Sequence, residues 1–359
     1  MKNLKLIGFL MILASSLMFI QCTSDPIMGP VGFAGADGTN GIDGVDGIDG
    51  VDGTASCVAC HSNSHRTPIN ESFDLSGHAT GTSFARGSST SCAQCHGSEG
   101  YVDYVTNGAI NPEGYTNPSP ISCTTCHSSH STFDFENDGH DYALRSFNPV
   151  TLVIDEATVI DFGGTSNMCI TCHQPRNSYP VPGSTGDYTI TSFRFGPHHG
   201  PQATLVEGVM AANISGTVGY PGVGTSTHRT GASCVSCHMG ESSDVSEGLH
   251  SWSPTSQSCT ACHTNGAPSD VMIETGKTFA QGMEELHNLL FEQKYIDASG
   301  YVLGGDGVNR AGTSNPLVAP AKVAQAIWNY KTLEEDKSQG VHNPNYAKAL
   351  LINSIEALK

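Results

Sequence analysis

Pairs of cysteines three positions apart, each pair followed directly by a histidine, recur six times along the 359-residue sequence. Two thiols at this spacing can add to the two vinyl groups of a porphyrin, and the adjacent imidazole then reaches the central iron. A zinc knuckle would not need the following histidine, and a redox dithiol would occur only once. The sequence therefore predicts six covalently bound haem c groups with proximal histidines, in the motifs Cys57-Cys60-His61, Cys92-Cys95-His96, Cys123-Cys126-His127, Cys169-Cys172-His173, Cys234-Cys237-His238 and Cys259-Cys262-His263.

Histidines outside the motifs are numerous enough to supply a second axial ligand to every iron. The sequence has sixteen histidines, so the six in the motifs leave ten: His65, His78, His130, His140, His198, His199, His228, His250, His287 and His342. Ligation by two histidines leaves an iron low-spin with no open position. Met168, Met210 and Met239 are alternative ligands, which the supply of histidines makes less favourable.

Several segments resemble the multihaem cytochrome c superfamily that contains ammonia-forming nitrite reductase, hydroxylamine oxidoreductase and related electron-transfer cytochromes. These segments are LSGHA, CTTCHSSH, MCITCHQPR, FGPHHGPQATLVEG, STHRTGASCVSCHMG, GLHSWSP and WNYKTLEEDKSQGVHNPNYAKALL. The resemblance implies that their histidines are distal ligands, often to a haem other than the one nearest in sequence. The implied distal set is His78, His130, His199, His228, His250 and His342, with His198 beside the ligand rather than on the iron. The alternative for each is a solvated turn, a packing or a helix-capping role.

The amount of chain available per haem limits the fold of the region that carries the motifs. The 207 residues from Cys57 to His263 leave under 35 residues for each motif, too few for an ordinary apolar core, so the haems themselves must form the core. We predict a mostly α fold with extensive loops, short helices at the motifs and few short strands. Alternation in 147–155 and 188–195 predicts two of these strands, paired as a hairpin. The hexahaem domain is predicted over residues 57–268.

A helical module without a motif is predicted over residues 269–359. Phe279, Met283, Leu286 and Leu290 recur at helical spacing in a helix that ends before Gly300. Pro320 can begin a second helix, which ends by Gly340, and Asn343 with Pro344 forms the cap and first turn of a third. This module is expected to contribute one haem ligand, His342.

The N-terminus predicts export. Lys2 and Lys5 precede a short apolar run, which is typical of a signal peptide over residues 1–21. Cys22 then resembles the lipidated first residue of a bacterial lipoprotein, with simple cleavage as the alternative. Residues 22–56 contain glycine at every third position from Gly29 to Gly53, with many aspartates. This run reads as an acidic tether or, alternatively, as a collagen-like trimeric stalk.

The formal charge of −18 excludes nucleic acid as a partner, because nothing would neutralise phosphates. We predict an exported electron-transfer protein rather than an enzyme, anchored as an outer-membrane or cell-surface lipoprotein, or else periplasmic or secreted. Its partners would be other redox proteins or extracellular electron acceptors. One alternative is a reductase of nitrogen or sulfur oxyanions with one open haem, for which the candidate substrate-side residues are Arg145, Arg176, Arg194, His198 and Tyr220. Another is a subunit of a cytochrome filament or trimer.

Overall fold

The computed structural model describes residues 55–130, 142–176 and 181–359. The predicted signal peptide, Cys22 and the tether up to residue 54 lie outside the described residues, as does His140. Within the described ranges the chain is mostly helix and loop with a few two-stranded sheets, which confirms the predicted fold class. No helix of this described part is both long and apolar enough to cross a bilayer.

Short helices occupy residues 55–260 and lie at or beside the CxxCH motifs. Most have four to seven residues, because glycines and polar turns interrupt the chain between motifs. They are α1 (Ala55–His61), α2 (Asn63–Asp74), α3 (Gly77–Thr80), α4 (Thr90–Ala93), α5 (Ser98–Asn107), α6 (Cys123–Cys126), α7 (Asn167–Ile170), α8 (Gln202–Glu207), α9 (Thr227–Thr230), α10 (Cys234–His238) and α11 (Ser256–Thr260). Three 3₁₀ helices join them, at Ser83–Ser88, Gly164–Ser166 and Leu249–Ser251.

The two predicted strands exist, but they do not pair with each other. Strand β1 (Val150–Thr151) pairs antiparallel with β2 (Val159–Ile160). Strand β3 (Asp187–Ile190) pairs antiparallel with β6 (Leu317–Pro320), with Tyr188 opposite Ala319. The hairpin prediction was therefore wrong, because the 188–195 segment finds its partner in the C-terminal module instead. A third small sheet joins β4 (Met272–Glu274) to β5 (Lys277–Thr278).

Three long helices form the C-terminal module, as predicted. They are α12 (Phe279–Glu292), α13 (Ala321–Asp336) and α14 (Pro344–Leu358). Local sequence explains their ends: Thr278 and Gln281 form a capping box at α12, and the Asn343 side chain accepts a hydrogen bond from the Tyr346 amide at α14. Lys337 adopts a left-handed conformation and ends α13, three residues before Gly340.

The main apolar core lies between these helices and the strands around them. Leu286, Leu290, Trp328, Leu350 and Leu351 are fully buried there, together with Phe195 and Ile190 from the motif-bearing region. A smaller core surrounds Leu152, Ile160 and Ile170 beside the fourth motif. The module thus packs against residues 187–220, and this contact brings its helix ends next to the CxxCH motifs.

Candidate haem sites

Five motif imidazoles each lie opposite an imidazole from outside the motifs. The ring centres are 6.0 Å apart for His61 and His130, 6.1 Å for His173 and His78, 6.3 Å for His127 and His250, 6.1 Å for His263 and His228, and 6.2 Å for His238 and His342. The distances are nearly uniform although the partners come from different parts of the chain. The structure thus places five of the six implied distal histidines opposite a motif histidine.

The spacing of these pairs fits a metal ion between the rings. A metal–imidazole bond of about 2 Å on each side, with roughly 1.1 Å from each nitrogen to its ring centre, separates two axial imidazoles by about 6.2 Å. Directly packed rings can also lie at such a distance, as His287 and Phe291 do at 6.2 Å, so no single distance indicates a metal, and the indication comes from five His–His pairs that share nearly one separation. The five pairs have a separation that a shared haem iron would give.

Hydrogen bonds at Nδ1 leave the other ring nitrogen of several of these imidazoles available to iron. His127 Nδ1 donates to the Tyr142 carbonyl at 2.6 Å. In the same way His238 Nδ1 donates to the Trp252 carbonyl at 2.7 Å, and His228 Nδ1 donates to the Val341 carbonyl at 2.5 Å. These oxygens can only accept, so the proton lies on Nδ1 and Nε2 keeps its lone pair. In His173 the partner is Gln202 Oε1, at 3.4 Å.

Burial favours the neutral form, which is the one that binds iron, in four of the ten paired imidazoles. The pKa of His78 is lowered to about 4 by burial and by the neighbouring His173. Burial also lowers the pKa values of His173, His238 and His250. Burial alone would lower the pKa of His342 too, but the carboxylate of Asp336 beside it raises that pKa.

His96 has a different environment. The chain before it packs closely, since a side chain at Gly87 would collide with the His96 carbonyl oxygen. Burial, followed by the charges of Arg86, His199 and Arg176, lowers the pKa of His96. His199 directs Nδ1 to Glu335 Oε2 at 2.6 Å. Within the described residues, His199 is the implied distal histidine that remains for His96.

Contacts between motifs connect the sites into a series. The Cys95 thiol faces the Thr171 carbonyl at 3.7 Å, and the Cys172 thiol faces the Gln94 carbonyl at the same distance. Further contacts join the second motif to the third through Ser98 and Thr125, at 2.6 Å. The fourth joins the fifth through Ser166 and Ser233, at 2.7 Å, and the fifth joins the sixth through Cys237 and Ser258, at 3.2 Å.

The chain is similar to solved structures but to no family model and no curated protein. Among solved structures it is similar to the outer cell wall cytochrome OcwA, with 18% identity and a TM-score of 0.46 over 80% of this chain and 50% of that one. It is also similar to the undecahaem cytochrome from the S-layer of Carboxydothermus ferrireducens, with 19% identity and a TM-score of 0.43 over 75% and 38%. The chain spans half or less of the length of these structures.

One short loop of the chain, Gly248–Ser253, contacts three of the candidate sites. His250 lies opposite His127, the Trp252 ring is 4.5 Å from the His78 ring, and the Trp252 carbonyl accepts from His238. Leu249 and Trp252 both have positive φ, 44° and 54°, which large side chains rarely adopt. Such a strained backbone persists where surrounding contacts impose it. Here it directs His250 towards His127 and Trp252 towards His78. Trp252 is two residues from His250 in the sequence, but its contacts with His78 and His238 depend on the fold.

The candidate substrate-side residues of the reductase alternative lie in several places. Arg145 donates to the Thr124 carbonyl at 2.9 Å, Arg194 lies over the Phe193 ring, and Tyr220 donates to the Ile214 carbonyl. Of these five candidates, all within the described residues, only Arg176 and His198 contact each other, through an antiparallel backbone bridge. His65 is exposed on α2, and His287 on α12 is hydrogen-bonded to the Tyr330 hydroxyl at 2.9 Å.

Sequence reasoning also missed the acidic partners of two histidines, Glu335 and Asp336. Glu335 contacts His199, and Asp336 Oδ1 lies 2.6 Å from His342 Nδ1. The sequence did contain a signal for these partners. Consecutive acidic residues at the C-terminal end of a helix interact unfavourably with the helix dipole, which indicates that they have a specific partner.

Proposed function

We propose that this protein carries six haem c groups, each with two histidine ligands, and that it passes electrons along them. The observation that supports this most is the set of five imidazole pairs at a nearly uniform, metal-spanning separation. Haem bound at these sites supplies one-electron chemistry at iron. Carbonyl or carboxylate oxygens accept a hydrogen bond from Nδ1 of five of these imidazoles and so leave their Nε2 available; they are His127, His199, His228, His238 and His342.

The proposed ligand pairs each cross between distant parts of the chain. They are His61 with His130, His96 with His199, His127 with His250, His173 with His78, His238 with His342, and His263 with His228. His130 follows the third motif but faces the first, and His250 follows the fifth motif but faces the third. Crossed ligation of this kind ties neighbouring sites together, so each motif is held close to the next. Close haems are what rapid electron transfer requires.

An iron with both axial positions filled has no place for a substrate, which favours a carrier over an enzyme. The net charge of −18 adds to this, because acidic surfaces steer basic redox partners. We also propose that the chain is exported and anchored through Cys22, with the glycine-rich run as a tether that holds the haem domain away from the membrane.

The test is low-temperature electron paramagnetic resonance of the fully oxidised holoprotein, with haem quantified, before and after adding nitrite. Six haems per chain, all low-spin and unchanged by nitrite, are expected. Fewer than six haems, or a high-spin haem that nitrite does not affect, would contradict the proposed ligand set.

A high-spin signal that shifts on adding nitrite would instead favour the oxyanion reductase. The site for that activity would be the His96 haem, because Arg176 lies against the second motif. Its guanidinium donates to the Ser91 carbonyl at 2.7 Å and to the Cys92 sulfur at 3.3 Å, and His198 is bridged to its backbone. A positive group beside an open iron could stabilise a bound oxyanion. Replacing Arg176 by Gln should then abolish the nitrite-induced shift.

A further inference from the structure

The C-terminal end of helix α13 contacts three haem sites although it carries no haem motif. Glu335 Oε2 accepts a hydrogen bond from His199 Nδ1, and Asp336 Oδ1 accepts one from His342 Nδ1, each at 2.6 Å. Consecutive residues of a helix point about 100° apart, so neighbouring carboxylates can serve imidazoles on different sides. Gln202 Nε2 donates to the backbone carbonyls of both acids at 3.2 Å, while its Oε1 faces His173.

These carboxylates lie where a helix does not favour them. The last turn of α13 contains three acids and no basic residue, although the carbonyl end of a helix carries partial negative charge. Glu334 has partners within the helix, Lys331 and Tyr330. Glu335 and Asp336 instead point to imidazoles, and the Asp336 side chain is only 2% exposed. Burial of a carboxylate at this end of a helix is unfavourable unless a specific partner compensates.

The partners distinguish two sites from the rest. His127, His228 and His238 donate Nδ1 to neutral backbone carbonyls, whereas His199 and His342 donate to carboxylates. A carboxylate makes the imidazole a stronger electron donor, and its charge favours the ferric over the ferrous state. Both effects lower the reduction potential of the iron that the imidazole binds.

We propose that Glu335 and Asp336 are positioning residues that lower the reduction potentials of two haems, the one attached at Cys92–His96 and the one attached at Cys234–His238. The inference rests on the proposed function, since it requires His199 and His342 to be the distal ligands. The effect should be larger for Asp336, which is nearly fully buried, than for Glu335, whose side chain is 19% exposed. Arg176, which donates to the Ser91 carbonyl and the Cys92 sulfur, adds an opposing positive charge beside the Cys92–His96 motif.

The experiment is a redox titration of the full-length holoprotein, followed by optical and paramagnetic resonance spectra, for Asp336→Asn and Glu335→Gln. Both substitutions keep an oxygen that can accept the imidazole hydrogen bond and remove the negative charge; at Asp336 the new amide nitrogen would face the Ser338 hydroxyl, which can accept from it. Glu334→Gln is the matched control, because it makes the same change one residue earlier on α13. We expect Asp336→Asn to raise the midpoint potential of one low-spin haem and Glu335→Gln to raise that of a different one by less. The control should leave every potential in place.

A shift no larger than that of Glu334→Gln in both variants would overturn the inference. If Asp336→Asn does not mature, the more exposed Glu335→Gln decides alone, by the same criterion. His342→Met separates this result from failure of the ligand set. A change of spin state or potential in one haem of His342→Met, with no shift in Asp336→Asn, rejects the tuning role alone. No change in His342→Met rejects the ligand assignment itself.

Discussion

The motif-bearing region and the C-terminal module differ in what fills their interiors. From Cys57 to His130 the buried apolar side chains that the structure describes are Ala93 and Tyr101. Large apolar residues such as Leu75 stay more than half exposed there. From residue 271 onward, three helices surround a dense apolar core that includes Trp328 and Leu350. The C-terminal module therefore has an apolar core of its own side chains, whereas residues 57–130 bury almost none, and the proposed haems would fill that interior.

The largest expected effect is that of removing the haems. A chain with serine at all twelve motif cysteines should lose hydrogen-exchange protection through α5 and the motif helices, with opening free energies near zero. Helices α12, α13 and α14 should stay protected by several kcal/mol, because their core contains no haem. Exchange measured by mass spectrometry on both forms tests this. Equal loss of protection in both regions would show that the module also depends on the haems.

The two tryptophans of the chain provide the next test, because each belongs to one region. Trp328 is fully buried and donates to the Met210 carbonyl at 3.1 Å. Trp328→Ala should cost about 3–5 kcal/mol of unfolding free energy in chemical denaturation and leave the haem spectra unchanged. Trp252→Ala should cost less, because Trp252 is only partly buried, yet it should alter the resonance of the haems bound by His78 and His250. The reverse pattern would contradict the proposed division between the regions.

A smaller effect is expected where the two regions are joined by buried hydrogen bonds. Asn353 on α14 is fully buried, and its Nδ2 donates to the carbonyls of Ile214 and Val218 at 3.1 and 2.9 Å. Asn353→Ala removes the partner of both the Val218 carbonyl and the Val218 amide, while the Ile214 carbonyl keeps its bond from Tyr220. The substitution should cost about 1–3 kcal/mol of unfolding free energy. The exposed Asn309→Ala is the control, with an expected change within about 0.5 kcal/mol. Equal losses would mean that the Asn353 bonds do not contribute to this junction.

The sequence predicted local features of both regions better than distant contacts. Asn343 and Pro344 cap α14 as expected, because a capping side chain bonds within one turn of itself. The partner of the 188–195 strand was missed, since β6 lies about 130 residues further along the chain. No local pattern in a single sequence records a contact at that separation. For the same reason the identities of the ligand pairs, and the link from Asp336 to His342, required the fold.

The smallest effect belongs to the surface of the C-terminal module. Arg310 is about half exposed, pairs with Asp297 at 3.0 Å and lies 4.0 Å above the Tyr301 ring centre. Exposed ion pairs and cation–π contacts each contribute about 0.5–1 kcal/mol. Arg310→Gln should therefore lower the free energy of unfolding by about 1 kcal/mol, and Arg310→Lys, which keeps the charge, by about half as much. Neither variant should move a haem potential, and a shift in Arg310→Gln but not in Arg310→Lys would mean that the module's surface charge acts on the haems from outside the α13 end.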